Sequence, residues 1–137
     1  MFSKELNIKL DKYHLLNHPF YKSWNDGKLN REIIKDYAEQ YYQHVKAFPR
    51  YISATHSICE DIEKRKILLE NLQDEENTKA DHPKLWKNFA LAMGADNEKI
   101  EDVKRDWFTS DMIDNFFYQA RKSYAEGLAS LYTYERQ

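Results

Sequence analysis

Glycine and proline are scarce in this chain, with three of each among 137 residues. Because these two residues make many of the tight turns and helix ends of proteins, the chain has few places at which to reverse direction. From Arg31 to Phe48 the apolar residues recur every three or four positions, which is the period of a helix with one buried face. No segment alternates in the way that a half-buried strand does. The sequence therefore predicts an all-α fold.

The composition is typical of one globular domain, covering residues 1–137. This length suffices for a single hydrophobic core but not for two. The net charge of −2 gives no electrostatic reason to expect a nucleic acid or an anionic membrane as a partner, and no apolar run is long enough to span a bilayer. Cys59 is the single cysteine, which excludes a disulfide within the chain and fits a reducing compartment. We expect a cytoplasmic protein.

Capping residues and breakers set the predicted helix boundaries. The predicted helices, in chain order, cover residues 3–16, 31–48, 50–59, about 60–76, 82–93 and about 110–137. Asn30 and Ser110 are the expected N-caps of the second and last helices. Pro49 should kink or restart the chain between 31–48 and 50–59, and Gly94 should end the helix that starts at residue 82. Residues 17–30 are predicted to be a connection.

Two acidic residues continue the apolar stripes of their helices. Glu75 extends the stripe of the helix at 60–76, and Glu135 extends that of the last helix. Burying a carboxylate is unfavourable unless it is paired or binds a metal. His82 follows Glu75 by seven residues, at the point where the chain restarts. Acids on different helices with a nearby histidine are the ligands that helical bundles use for di-iron and di-manganese sites.

Simpler interpretations of the same residues stay open. Glu76 can be the inward acid, Glu135 can be hydrated at the end of its helix, and His82 can do no more than help to cap a helix. A glutamate and a histidine at this spacing also recur by chance. His56 and Cys59 form a second pair able to bind a metal, although a buried cysteine more often packs as a small apolar residue.

Tyrosine is unusually frequent, with ten in the chain. Aromatic packing, with each hydroxyl finding a hydrogen-bond partner, accounts for most of them. Tyr37 and Tyr41 lie on the inner stripe of the helix at 31–48, whereas Tyr21 lies in the predicted connection. A redox role would require a tyrosine close to an oxidising metal.

Four segments of the sequence together resemble a known family. They read HPFYKSWNDGKL, DYAEQYYQHVKAFPRYISATHS, ILLENLQDEEN…H…LWKNFALAMG and LASLYTYERQ. In this order and approximate spacing, they resemble the haem-oxygenase-like di-iron proteins. The similarity is to the branch that contains the chlamydial protein associating with death domains, a relative of pyrroloquinoline-quinone synthesis protein C and the TenA thiaminases. The resemblance covers nearly the whole chain and implies a haem-oxygenase-like helical bundle.

The resemblance also implies a metal site and an activity. The positions that match the family's ligands are Glu75, His82 and Glu135, and the implied metals are two irons or iron with manganese. Enzymes of this branch are non-haem dimetal oxygenases that make p-aminobenzoate for folate, consuming one of their own tyrosines with molecular oxygen. Tyr21, in the FYxxW motif, matches the sacrificed tyrosine. Tyr37, which opens the YAxxYY motif, matches its redox neighbour.

Family domains continue past the position of Gln137 for roughly another 80 residues, which carry further ligands and a lysine amino donor. We therefore expect this chain to be the N-terminal portion of such a domain and to be impaired as an enzyme. It should expose apolar faces at Tyr41 and Leu131, and so form a homo-oligomer or a helix-swapped dimer. The alternatives are a cofactor-independent enzyme of the quinone-synthesis or TenA type, and a non-catalytic protein that binds a host death domain after secretion into a host cell.

Overall fold

The computed structural model describes residues 2–77 and 81–137, and these ranges contain only helices and their connections. The α-helices are α1 (Phe2–Asp11), α2 (Pro19–Asn25), α3 (Arg31–Ile58), α4 (Ile62–Glu75), α5 (His82–Met93), α6 (Trp107–Lys122) and α7 (Tyr124–Glu135). Two short 3-10 turns, Leu15–Asn17 and Ile100–Asp102, lie between them. The all-α prediction is confirmed.

The central element is α3, which is 28 residues long and packs against α4, α5, α6 and α7. The Asn30 side chain caps its first turn by accepting a hydrogen bond from the Ile33 amide, as predicted. Its C-terminal half is the more deeply buried, with Tyr51, Ile52 and Thr55 inaccessible to solvent or nearly so. The helix thus supplies the wall against which the others are placed.

Two apolar clusters hold the helices around α3. The larger joins the C-terminal half of α3 to α4, α6 and α7, and its fully buried members include Tyr51, Leu68 and Ala120. The smaller joins the N-terminal half of α3 to α5 and the second 3-10 turn through Ala38, Ala90 and Ile100. Each cluster therefore fixes one end of the long helix.

Of the two outcomes predicted for Pro49, a kink or a restart, the restart is wrong, because the helix runs without a break from Arg31 to Ile58. A proline inside a helix removes one backbone hydrogen bond and crowds the preceding turn. Pro49 is buried, and it stands between the core residues Phe48 and Tyr51. We attribute the continuity to packing on this buried face, which outweighs the local cost of the proline.

The predicted connection at 17–30 contains the short helix α2. The His18 side chain accepts a hydrogen bond from the Phe20 amide, and Pro19 occupies the first helical turn, where a proline costs no hydrogen bond. The preceding helix is shorter than predicted and ends at Asp11.

The long helix predicted at the end of the chain is two helices. Asp106, and not Ser110, caps α6, accepting a hydrogen bond from the Thr109 amide at 2.6 Å. At Ser123 the backbone becomes extended, and the Ser123 hydroxyl accepts a hydrogen bond from the Glu126 amide to start α7. A serine N-cap is a helix start signal, and here it follows another helix directly.

The prediction of exposed apolar faces at Tyr41 and Leu131 is wrong. Leu131 is 5% exposed and belongs to the larger core cluster. Tyr41 is partly buried, with its ring packed on Tyr37 and Trp86. Contacts within this chain bury Leu131 and partly bury Tyr41, since α3 packs against both α5 and α7.

In the ranges 2–77 and 81–137, no helix combines the length and the apolar character that crossing a membrane would need.

Candidate active site

The structure brings all five predicted site residues to one cavity of about 740 Å³. Each comes from a different helix: Tyr21 from α2, Tyr37 from α3, Glu75 from α4, His82 from α5 and Glu135 from α7. These side chains are far apart in the sequence and meet because α4, α5 and α7 pack on α3 and because rings of α2 pack on Tyr37.

At one side of the cavity, Glu75 and His82 are in contact across the break between α4 and α5. The His82 Nδ1 and Glu75 Oε2 atoms are 2.9 Å apart, and the Glu75 side chain is only 16% exposed. Glu75, and not its exposed neighbour Glu76, is therefore the inward acid. Asp81 caps α5 by accepting a hydrogen bond from the Lys84 amide, which leaves the His82 ring free to pair with Glu75.

Glu135 lies at the rim of the same cavity, near the end of α7. Burial of part of its carboxyl raises its pKa, and the negative charge of Glu75 raises it further. The two carboxylates thus repel one another across the cavity, and a bound cation would relieve that repulsion.

The donors fit a transition-metal ion in their chemistry, since two carboxylates and one imidazole suit iron or manganese. Burial of the Glu135 carboxyl and, to a smaller extent, the negative charge of Glu75 raise the pKa of Glu135, and a bound cation would offset both effects. The side-chain arrangement is looser than a closed coordination shell. Across the described part of the chain, no three His, Cys, Asp or Glu side chains are grouped closely enough to hold a metal ion.

Tyr21 and Tyr37 share a short hydrogen bond at another side of the cavity, with their hydroxyl oxygens 2.6 Å apart. Burial raises the pKa of Tyr37, and the hydrogen bond with Tyr21 adds to this effect. Phe20 and Trp24 pack on the Tyr37 ring, with centroids 4.8 and 5.7 Å away. The pair is therefore held in one geometry by aromatic neighbours, and Tyr37 stays protonated at neutral pH.

A second tyrosine pair, Tyr41 and Tyr134, was not predicted as part of the site. The Tyr41 hydroxyl donates to the Tyr134 hydroxyl at 2.9 Å, and both residues line the cavity. The Tyr41 ring is stacked on Tyr37, with centroids 5.4 Å apart and planes 22° apart. Two signals were present in the sequence: Tyr41 follows Tyr37 by one helical turn, and Tyr134 immediately precedes Glu135.

The whole chain, with the site residues it carries, can be compared with known proteins. Residues 4–137 match the model of the TENA/THI-4/PQQC family. This chain belongs to the TENA/THI-4/PQQC family. The resemblance predicted from the four sequence segments is confirmed, and so is the haem-oxygenase-like helical class.

Several curated relatives in this family bear one name. The chain is 42% identical to the 4-aminobenzoate synthase of Chlamydia muridarum over 137 residues, which is 99% of this chain and 58% of the relative. It is also 42% identical to the protein of that name from Chlamydia trachomatis serovar D, with 99% and 59% of the two chains covered. The relative from Nitrosomonas europaea, again named 4-aminobenzoate synthase, is 37% identical, with 99% and 59% covered. The chain therefore spans somewhat under 60% of the length of these relatives.

Proposed function

We propose that this chain carries part of the catalytic site of an oxygen-dependent, dimetal 4-aminobenzoate synthase. The observation that carries the proposal is the meeting of five residues from five helices, Tyr21, Tyr37, Glu75, His82 and Glu135, around one cavity. The names of the relatives support the reaction, and the donor types support the metals.

In this proposal Glu75, His82 and Glu135 would hold iron, or iron with manganese, and these metals would supply one-electron chemistry with molecular oxygen. The imidazole of His82 is oriented by its hydrogen bond with Glu75, so that a metal would compete with an existing contact. Three donors are fewer than two metal ions need, and we propose that the activity of this chain is correspondingly weak. A second copy in a homo-oligomer or helix-swapped dimer would be one source of further donors.

Tyr21 is the proposed source of the product. Turning a tyrosine side chain into 4-aminobenzoate keeps the ring and Cβ, so the Cα–Cβ bond must break and Cβ must be oxidised to a carboxyl group. With ammonia as the amine donor the reaction balances: a tyrosyl residue, ammonia and dioxygen give a glycyl residue, 4-aminobenzoic acid and water. Dioxygen is the oxidant and supplies the carboxyl oxygens, and the ring oxygen that nitrogen replaces leaves as the water. Tyr37 holds the Tyr21 hydroxyl through the 2.6 Å hydrogen bond and can accept or return its proton there.

The test is peptide mass spectrometry on the chain after anaerobic loading with iron and manganese and then exposure to oxygen. We expect loss of the tyrosine side chain at Tyr21 in a fraction of the molecules, and none in Tyr37→Phe or without oxygen. Tyr13, which is 78% exposed and outside the cavity, is the internal control. Oxidation spread equally over Tyr13 and Tyr21, or none at Tyr21, would overturn the proposal.

A different result would support each alternative. Thermal stabilisation by a pyrimidine or a bicyclic quinone precursor, independent of metal, would favour the cofactor-independent enzyme type. Binding of an isolated death domain that persists in a variant lacking His82 and Glu135 would favour the interaction protein.

A further inference from the structure

A second cavity, of about 540 Å³, shares a wall with the first. The shared wall includes the two tyrosine pairs, Tyr21 with Tyr37 and Tyr41 with Tyr134. Beyond this wall the two cavities differ. Glu75, His82 and Glu135 line only the first, whereas the second extends along α6.

The second cavity is lined by aromatic rings and one buried histidine, His44 of α3. Phe108 and Phe116 of α6 line it together with Tyr41 and Tyr134. The His44 ring packs between these groups, with centroids 5.1 Å from Phe116 and 4.8 Å from Tyr134. A flat ring fits among such neighbours better than a flexible polar chain.

His44 has one nitrogen paired and one unpaired. Its Nδ1 lies 3.2 Å from the Tyr51 hydroxyl, whereas Nε2 is buried without a hydrogen-bond partner. The rings of Tyr41, Phe116 and Tyr134 pack on His44 and close it off from solvent, so a ligand group reaches Nε2 only by parting these rings. In the part of the chain that the structure describes, Nε2 is the one buried side-chain nitrogen or oxygen in this condition. Because buried polar atoms in native proteins are almost always paired, this atom points to a missing partner.

The charge around the cavity selects against anions. Among its described lining residues there is no lysine or arginine, whereas Asp36 and Asp106 contribute carboxylates. Desolvation lowers the pKa of His44 to about 4, so the imidazole is neutral at neutral pH. A carboxylate or phosphate would therefore find no counter-charge here.

The tautomer of His44 narrows the choice of ligand group. In one tautomer Nδ1 accepts a hydrogen bond from the Tyr51 hydroxyl, so Nε2 carries the proton and needs an acceptor. In the other tautomer Nδ1 donates to that hydroxyl, so Nε2 needs a donor. A hydroxyl group satisfies either requirement because it both donates and accepts. We propose that the second cavity binds a small neutral phenol, whose ring packs among Tyr41, Phe116 and Tyr134 and whose hydroxyl pairs with the His44 Nε2.

This site is separate from the proposed synthase function and needs no metal, so it is tested on the metal-free chain. Three probes share a methyl-substituted benzene ring and differ in the group opposite the methyl. This group is a hydroxyl in p-cresol, a second methyl in p-xylene and a negatively charged carboxylate in p-toluate. Nitrogen-15 NMR of the histidine rings reports the environment of His44 Nε2, and the spectrum of His44→Phe assigns the signal. Dissociation constants come from the same titrations.

We expect p-cresol to move the His44 Nε2 signal and to bind at least about 10-fold more tightly than p-xylene, the preference that one hydrogen bond to a buried polar atom gives. p-Toluate should bind more weakly than p-cresol. His44→Phe should remove the preference for p-cresol. His56→Phe, on the same helix but lining neither cavity, should keep it.

Three results would overturn the proposal: equal binding of p-cresol and p-xylene, saturation by p-cresol with the Nε2 signal unmoved, or no binding of p-cresol. An unmoved signal would mean that Nε2 is satisfied by the face of the Tyr134 ring. Circular dichroism checks that His44→Phe is folded. If it is not, the comparison of p-cresol with p-xylene on the unmodified chain decides alone.

Discussion

The two ends of α3 use the same residue type in opposite ways. Tyr51, near its C-terminus, is 0% exposed, its ring stacked on Phe116 with centroids 4.9 Å apart. Tyr37, near its N-terminus, lines a cavity and directs its hydroxyl to another tyrosine. Burial raises the pKa of both, so both stay protonated at neutral pH. The difference lies in the surroundings: Tyr51 is enclosed by core packing, and Tyr37 faces open volume beside acids.

We infer from this contrast that the C-terminal half of α3 stabilises the fold, whereas its N-terminal half carries residues of the site. The larger core cluster includes Tyr51, Ile52 and Leu68. By contrast, the rings of Tyr37 and Tyr41 stack on each other, and their hydroxyls bond to those of Tyr21 and Tyr134 respectively. Substitutions at core positions of the C-terminal half, such as Tyr51, should therefore lower the free energy of unfolding. Substitutions at cavity-lining positions of the N-terminal half, such as Tyr37, should change the chemistry with little cost to stability.

The largest effect is expected for Tyr51→Ala. Truncating a fully buried aromatic side chain leaves a cavity, and the expected loss in the free energy of unfolding is about 3–5 kcal/mol. Urea unfolding followed by circular dichroism measures it. A loss below about 1 kcal/mol would contradict the assignment of Tyr51 to the structural half of α3.

The next effect is a dependence of stability on pH through His44. Desolvation lowers its pKa in the folded state from 6.5 to about 4. As the pH falls, His44 is protonated in the unfolded chain before it is protonated in the folded chain. The free energy of unfolding therefore keeps its full value above pH 6.5 and decreases as the pH is lowered towards 4. Relative to neutral pH, the expected loss at pH 5 is about 2 kcal/mol from this group. Urea unfolding at both pH values should show a smaller acid loss in His44→Phe, and an unchanged loss would exclude His44 as its source.

Gly127→Ala probes the contact between α7 and the structural half of α3. A Cβ at Gly127 would lie 2.6 Å from Thr55 Oγ1 and 2.7 Å from Thr55 Cγ2, too close without a shift. Overpacking of this kind costs about 1–3 kcal/mol, partly offset by about 1 kcal/mol of better helix propensity. The double variant with Thr55→Ala should recover part of the loss in unfolding experiments. Additive effects of the two substitutions would argue against the direct contact.

Tyr37→Phe is expected to have the smallest effect on stability, about 0.5 kcal/mol, because only one hydrogen bond is lost and the Tyr21 hydroxyl borders a cavity. The same change should abolish oxygen-dependent loss of the Tyr21 side chain. A stability loss as large as that of Tyr51→Ala would erase the distinction between the two ends of α3.

The sequence predicted the parts of the fold that repeat with helical period. The start of α3 at the Asn30 cap and the end of α5 at Gly94 agree with the structure, because both depend on local chemistry. The continuity of α3 through Pro49 and the break at Ser123 were missed. Tertiary packing decides the first, and the second has no glycine or proline to mark it.

The site divides in a similar way. Glu75 and Glu135 followed from their apolar stripes and His82 from its spacing after Glu75. The resemblance matched these three residues as ligands and added Tyr21 and Tyr37. The pairing of Tyr41 with Tyr134 joins residues 93 positions apart, and no local pattern encodes such a contact. The environment of His44 likewise depends on long-range packing, because residues of α6 and α7 surround its ring.

The most direct test of the central claim is metal content per chain after anaerobic loading with iron and manganese, with the molar mass followed by light scattering. The variants are His82→Ala and, as the matched control, Glu76→Ala, which removes an exposed acid beside the inward Glu75. We expect near-stoichiometric metal in the unmodified chain and in Glu76→Ala, and loss of the metal in His82→Ala. A folded chain that binds no specific metal, or binds it equally well without His82, would contradict the assignment of this cavity as a metal site.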